Sequence, residues 1–150
     1  MEVCALDETE LEAFYALRVE ALQTEPSAFW GPPELMRQQK PEDYLERVRA
    51  QPQGNFVLGA FVEDRLLGSI GLNRPQTSKL RHKAEVREMY VTPRARGKGI
   101  ATALLRTLIE RALTYPDLAQ LHLMVSVSQT SARALYLKFG FEPRAPTPVQ

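Results

Sequence analysis

The spacing of apolar residues along the chain changes from helical to extended and back. Leu11, Phe14 and Leu17 recur at helical spacing, which predicts a first helix. Pro26 ends that helix, because the residue before a proline is disfavoured in the α region. From residue 55 the pattern is extended, and two apolar runs around the polar pair Asp64-Arg65 predict a β-hairpin. The predicted elements, in chain order, are a strand over 3–6, a helix after the cap at 7–9, a short helix over 41–50, strands over 56–62, 66–72 and 84–92, a helix over 101–113, a strand over 121–127, a helix over 132–139 and a short strand from Phe141.

This order, βααβββαβαβ, predicts a mixed α+β fold. A long antiparallel meander is combined with one strand-helix-strand crossover of the parallel type, so the sheet is mixed but mostly antiparallel. A chain of 150 residues buries roughly 70% of the surface that its unfolded form exposes, which is enough for one core. We therefore expect a single domain over residues 1–150.

Charge and cysteine content narrow the classes of function. Nineteen basic and eighteen acidic side chains give a net charge of +1, which argues against binding driven by nucleic-acid phosphates. A locally basic run keeps that alternative open: Arg74, Lys79, Arg81, His82, Lys83 and Arg87. With Cys4 as the single cysteine and two histidines, the sequence supports neither an intrachain disulfide nor a Cys/His zinc site, and we expect no metal. No apolar stretch reaches membrane-spanning length and no signal peptide is readable, so the expected location is the cytoplasm.

The segment between the strand over 84–92 and the helix that follows it carries the clearest chemistry. It reads Arg96-Gly97-Lys98-Gly99-Ile100-Ala101. The first amides of a helix have no intrahelical partner, and glycines allow a left-handed backbone, so the amides from 96 to 101 form a candidate nest for a pyrophosphate. The P-loop and dinucleotide fingerprints are both absent. On its own, the segment is equally consistent with a glycine-containing helix entry that carries surface arginines.

These six residues match at every position the Arg/Gln-x-x-Gly-x-Gly/Ala segment of the GNAT acyltransferase superfamily, which the chain resembles. A second segment, from Gln129 to Phe141, resembles the Asn-x-x-Ala-x-x-Leu-Tyr-x-x-x-Gly-Phe segment of the same superfamily. The resemblance extends over essentially the whole chain and implies the GNAT fold, a central mixed sheet flanked by helices. Gln129 departs from the usual asparagine, and only eight residues follow Glu142, so we expect the last strand of the family to be missing. We therefore expect the fifth strand to have an open edge, covered by a loop, the sixth strand or a second copy in a homodimer.

The resemblance also implies a cofactor and a reaction. Acetyl-CoA is the expected co-substrate, with its pyrophosphate on the amides of Arg96, Gly97, Lys98, Gly99, Ile100 and Ala101. Its pantetheine arm is expected to pair with backbone groups of Met89 and Val91, beside Gln129 and Ala132, with an N–H near Met89 holding the oxygen of the tetrahedral intermediate. The implied function is N-acetyltransfer to a primary amine of a small molecule or protein by direct attack on the thioester. The alternative is a non-catalytic acyl-CoA-binding or regulatory module.

Two side chains are candidates for proton transfer. Tyr136 matches the family tyrosine that protonates the departing thiolate, although its helical spacing also suits a core tyrosine. Glu85 matches the position of a catalytic glutamate in some members, and strand alternation places Glu88 on the opposite face. Both carboxylates are equally consistent with solvated partners of Arg87.

Four further residues are weaker candidates. His82 and His122 are alternative bases, but each fits an ordinary surface or partly buried histidine. Phe29 and Trp30 would wall an acceptor pocket or, more commonly for such rings, belong to the core.

Overall fold

A computed structural model describes residues 1–25, 39–49, 54–125 and 129–143. In these ranges the sheet has five strands in the order β1-β2-β3-β4-β5, antiparallel except for the parallel pair β4 and β5. The strands are β1 (Glu2–Ala5), β2 (Phe56–Val62), β3 (Arg65–Asn73), β4 (Lys83–Val91) and β5 (Gln120–Leu123). The α-helices are α1 (Leu11–Thr24), α2 (Leu45–Val48), α3 (Ile100–Ala112) and α4 (Thr130–Lys138). The mixed, mostly antiparallel sheet with flanking helices is confirmed.

The β2–β3 hairpin is confirmed, but its turn lies one residue earlier than predicted. Glu63 and Asp64 form the turn, with φ values of 51° and 63°, and Arg65 already pairs with Val62. Two left-handed residues make a turn whose twist matches the right-handed twist of the strands. That geometric demand, rather than the polarity of the residues, sets the position of the turn.

Helices cover both faces of the sheet. On one face α3 packs through Leu104 and Leu108 onto the buried side chains of β2, β3 and β4, with α4 beside it. A Cβ on Gly68 would lie 3.2 Å from side-chain atoms of Ile100 and Leu104, so this glycine lets α3 approach β3 closely. On the other face α1 and α2 pack onto the sheet through two smaller hydrophobic clusters, one of which includes Phe14. We refer to this second face as the α1–α2 face.

The end of α4 is a cap of the Schellman type, and it overturns the predicted strand at Phe141. Gly140, with a φ of 95°, donates its N–H to Leu137 O at 3.0 Å, and Phe141 donates to Tyr136 O at 3.1 Å. The rings of Tyr136 and Phe141 meet edge to face at 5.8 Å, which is the apolar contact that accompanies this cap. Phe141 is therefore part of the cap of α4 and is not in a strand.

The fifth strand is shorter than predicted and ends at Leu123 rather than at residue 127. Among the described residues β5 forms an edge of the sheet, and the stretch 129–143 adds no strand beside it. In the same ranges, every helix is too short or too polar to cross a bilayer.

Candidate active site

A cavity opens where the two parallel strands separate. β4 and β5 pair from Lys83 to Val86, and β4 then continues to Val91 with no strand on that side among the described residues. The space beyond is a cavity of about 1250 Å³. It is lined by every predicted site residue except Lys98, namely Glu85, Met89, Val91, Arg96, Gly97, Gly99, Ile100, Ala101, Gln129, Ala132 and Tyr136.

The backbone of β4 presents hydrogen-bonding groups to this cavity. Thr92 donates its N–H to Leu67 O at 2.9 Å, and Tyr90 pairs with Ser69, so both residues point their amides toward β3. Because successive residues in a strand point their backbone groups to opposite sides, the amides of Met89 and Val91 point into the gap. An unpaired strand edge of this kind binds an extended chain.

The segment before α3 forms a second hydrogen-bonding surface. Gly97 and Gly99 have φ values of 79° and 81°, and a Cβ on either would meet no atom within 4 Å. Glycine is therefore required here by backbone conformation and not by crowding. In the described part of the chain, the amides from Gly97 to Ala101 donate to no protein acceptor. Together with the helix dipole, these amides make a site for an anion.

Arg96 differs from the sequence expectation. Its amide donates to Pro93 O at 3.2 Å, so the open amides begin at Gly97 rather than at Arg96. Its guanidinium donates to Val91 O at 2.9 Å and pairs with Glu25 at 2.5 Å. Arg96 therefore joins the end of α1 to the segment before α3, a contact across 71 positions that no local pattern indicates.

Tyr136 reaches the cavity from α4, where the cap described above holds its ring. The side chain is buried, and this burial raises the pKa of its phenol to about 12. A phenol with that pKa remains protonated at neutral pH. Tyr136 is therefore suited to donate a proton and not to accept one.

A β-bulge overturns the prediction that Glu85 and Glu88 lie on opposite faces. Arg87 pairs with Gly71, and Tyr90 pairs with Ser69. Three residue steps along β4 therefore lie opposite two steps along β3, which leaves one extra residue in β4. Glu88 sits in the bulge with a φ of 53°. The extra residue breaks the alternation and turns Glu88 to the α1–α2 face, which Glu85 also occupies.

No pattern in the sequence indicated the arginines that lie near Glu88. Arg47 of α2 contacts both carboxylate oxygens of Glu88, at 2.9 and 2.7 Å. Gly71 makes room for the pair, because a Cβ there would overlap both side chains. Burial lowers the pKa of the Arg18 guanidinium, and Glu88 is the strongest influence that opposes this shift. The one local signal was a glycine inside a predicted strand, which is typical of a bulge or a close approach.

Glu85 has a more open environment than Glu88. Its side chain is 39% exposed, against 12% for Glu88. Arg87 Nε donates to its Oε1 at 3.0 Å, and among the described residues this is the ion pair that Glu85 makes. Because Arg87 binds one carboxylate oxygen of Glu85, the other oxygen can accept a hydrogen bond from water.

The structure does not bring the remaining candidates among the described residues to the cavity. His82 and His122 do not line it, and Phe29 and Trp30 lie outside the described residues. Within the described ranges, the His, Cys, Asp and Glu side chains form no group of three that would hold a metal ion. Asp117 pairs with both Arg74 and Arg81, which offsets part of the charge of the basic run.

The amino-acid sequence matches a known family and a curated protein. A model of the Acetyltransferase (GNAT) family matches residues 13–141. Over 104 residues the chain is 29% identical to L-amino acid N-acetyltransferase AaaT of Escherichia coli (strain K12). That match includes 68% of this chain but only 63% of the relative, so it spans less than two thirds of the relative's length.

The fold also matches solved structures. Ribosomal-protein-alanine N-acetyltransferase from Brucella melitensis is 26% identical with a TM-score of 0.73, covering 95% of this chain and 85% of that one. A predicted acetyltransferase from Clostridium acetobutylicum, solved with acetyl-CoA, is 20% identical with a TM-score of 0.69. That comparison covers 99% of this chain and 94% of the other, and at this identity it supports the fold alone.

Proposed function

The chain belongs to the GNAT acetyltransferase family, and we propose that it is an acetyl-CoA-dependent N-acetyltransferase acting directly on a primary amine. One observation carries this proposal: a single cavity combines open amides before α3, an unpaired edge of β4 and a protonated phenol. The relatives named above transfer acetyl groups to an amino acid and to a ribosomal-protein alanine, and both acceptors present an amine.

The open amides fit the pyrophosphate of the donor. The amides from Gly97 to Ala101 have no protein partner among the described residues, and Lys98 adds positive charge beside them. An anion bound there would satisfy donors that the fold leaves open. Met89 and Val91 would pair with the amides of the pantetheine arm, and Gln129, which precedes α4, and Ala132 of α4 also line the cavity.

Each catalytic group has a defined task in the proposed reaction. Acetyl-CoA supplies the acetyl thioester, and the amine nitrogen forms the new C–N bond as the C–S bond breaks. The N–H of Met89 donates to the carbonyl oxygen as negative charge develops on it. Tyr136 protonates the departing sulfur, and Glu85, through water, accepts the proton that the ammonium loses before attack. The second proton of the attacking nitrogen returns to the phenolate through solvent.

The competing proposal is a module that binds acyl-CoA without turnover. Gln129 supports it, because the family's asparagine is replaced by a longer amide at the cavity wall. The two proposals differ in one measurable property, the amine-dependent release of free CoA thiol.

We expect the purified protein to bind acetyl-CoA saturably and to release CoA thiol when a suitable amine is added. Isothermal titration with acetyl-CoA, beside desulfo-CoA, measures the first property. A thiol assay over a panel of amines measures the second. Binding without release by any amine favours the module, and absence of binding contradicts the assignment of the donor.

Glu85→Gln is expected to lower kcat/KM for the amine by about 10- to 100-fold at neutral pH. The loss should shrink as the pH approaches the pKa of the amine, because the free base needs no proton acceptor. The measurement is a pH profile of both proteins. Glu110→Gln, on the exposed surface of α3, is the matched control. Equal pH profiles for wild type and Glu85→Gln would mean that solvent alone accepts the proton that the ammonium loses.

A further inference from the structure

The α1–α2 face contributes a charged wall to the cavity. Arg18 of α1, Arg47 of α2 and Glu88 of the β4 bulge all line it. Arg47 contacts both oxygens of Glu88, and Arg18 lies near enough to interact electrostatically with both residues. Two guanidinium groups and one carboxylate therefore line the same part of the cavity, and these three side chains together carry a net positive charge.

Because these side chains are partly buried, their charges act more strongly on a bound ligand than exposed charges would. The side chains of Arg47 and Glu88 are only 22% and 12% exposed, so water screens them weakly. Loss of hydration lowers the pKa of the Arg18 guanidinium, and Arg47 lowers it further. A second anion at this wall would stabilise both cations, since Coulomb interactions strengthen as the surrounding dielectric falls.

The backbone around this wall is built to hold it. Glu88 adopts a left-handed φ, which is costly for a residue with a side chain. Gly71 has no side chain at the point where the Glu88–Arg47 pair lies against β3. Strain of this kind persists only where the surrounding contacts impose it. The arrangement is therefore more specific than a surface ion pair.

Three acidic side chains other than Glu88 line the cavity, and each has a partner of its own. Glu25 pairs with Arg96, and Glu85 pairs with Arg87. Asp43 is exposed and accepts the backbone N–H of Lys40 at 2.7 Å. The wall made by Arg18, Arg47 and Glu88 is where the charge favours an incoming anion.

We propose that the acceptor is a small primary amine that also carries a carboxylate, and that Arg18 binds this carboxylate beside the Arg47–Glu88 pair. The inference rests on the proposed function, since it names the acceptor class of the same cavity. A planar guanidinium matches a carboxylate with two parallel hydrogen bonds. A monoanion also suits a wall with two cations and one anion better than a phosphate dianion does.

The position of the wall agrees with the reaction. Glu85 and the Arg18–Arg47–Glu88 wall share the α1–α2 face, and the edge of β4 at Met89 is one residue from the bulge. An acceptor anchored by its carboxylate at Arg18 extends its amine along β4. The substrate is then oriented by charge at one end and reacts at the other.

Acceptor selectivity tests this proposal. The common L-amino acids are assayed, each beside its α-carboxamide, which keeps the amine and removes the charge. We expect at least one acid to exceed its carboxamide in kcat/KM by about 10- to 100-fold, the ratio expected for a hydrogen-bonded charge pair. The same ratio should appear in the Kd of acid and carboxamide for the CoA-saturated protein, a measurement that needs no turnover.

Variants of Arg18 assign the selectivity to this side chain. Arg18→Gln should reduce the ratio of acid to carboxamide by about 10-fold or more, and Arg18→Lys, which keeps the charge, should restore part of it. Arg65→Gln removes an exposed arginine at the start of β3 and should leave the ratio unchanged. Thermal unfolding of each variant separates lost selectivity from lost fold.

Three results would overturn the proposal. The proposal would be contradicted if carboxamides were acetylated as efficiently as the acids. It would also be contradicted if Arg18→Gln left the ratio of acid to carboxamide unchanged. Equal Kd values for acids and carboxamides on the CoA-saturated protein would have the same meaning. Each of these leaves donor binding and acetyl transfer intact, whereas failure to bind acetyl-CoA would contradict the proposed function itself.

Discussion

Gly99→Asp is expected to weaken acetyl-CoA binding by about 100-fold or more, while Gly99→Asn retains most of it. Gly99 is the N-cap of α3, with a φ of 81° and open space where a side chain would lie. Asn and Asp enter the left-handed region more readily than other residues and have nearly the same shape. The two variants therefore differ mainly by one negative charge among the open amides.

The fold should tolerate both substitutions. Asp and Asn are favourable N-cap residues, and a negative charge at a helix N-terminus stabilises the helix by about 0.3–1 kcal/mol. A carboxylate that occupies the amides in the protein would exclude the pyrophosphate of the donor. Loss of donor affinity in a fully folded Gly99→Asp is thus specific to the anion site.

The measurement is isothermal titration of wild type, Gly99→Asp and Gly99→Asn with acetyl-CoA, alongside thermal unfolding. Wild-type affinity in both the Asp and the Asn variant would mean that the amides before α3 do not hold the donor's phosphates. Equal losses in both variants would point to backbone strain instead of charge.

Tyr136→Phe is expected to lower kcat by about 100-fold while changing the KM for acetyl-CoA much less. The substitution removes the proton donor and keeps the ring that packs against Phe141, so α4 and its cap should remain intact. The expected loss is therefore chemical, because the thiolate must leave without an acid in place.

The pH dependence follows from the raised pKa of Tyr136. A phenol with a pKa of about 12 is protonated below that value and loses its proton only above it. The acid function is therefore present across the neutral and mildly alkaline range, and the wild-type rate should show no alkaline decline due to Tyr136 there. The rate instead rises with pH as the amine is deprotonated.

The control for this variant is Tyr115→Phe, which changes a tyrosine that does not line the cavity. Its kcat should stay near the wild-type value. An acyl donor with a more acidic thiol should narrow the gap between wild type and Tyr136→Phe, because a better leaving group needs less protonation. A Tyr136→Phe enzyme with wild-type kcat would mean that water supplies the proton.

Much of the architecture was predictable because its causes are local. The helical spacing of Leu104 and Leu108 predicted α3, and two extended apolar runs around a polar pair predicted the hairpin. Gly140 marked the end of α4, since a left-handed residue there favours glycine. The order of elements and the two segments that resemble the GNAT superfamily led to the family that the comparisons support.

The errors arose where backbone hydrogen bonds override side-chain patterns. Phe141 follows an apolar helix and resembles the start of a strand, but its N–H is already used by Tyr136 O. Glu85 and Glu88 were assigned to opposite faces by strict alternation, and one bulged residue removed that alternation.

The sequence by itself determined most of the elements, their order and the glycine-containing segment before α3, and it indicated the residues proposed for the donor site. These depend on neighbours within one or two turns, so spacing and residue type are sufficient to predict them. Only the tertiary structure decided that Arg96 pairs with Glu25 and that Arg47 pairs with Glu88. These pairs join residues 71 and 41 positions apart, and they form because the folded chain brings distant side chains together. The proposed donor site could therefore be predicted from the sequence, whereas the proposed acceptor site depends on the fold.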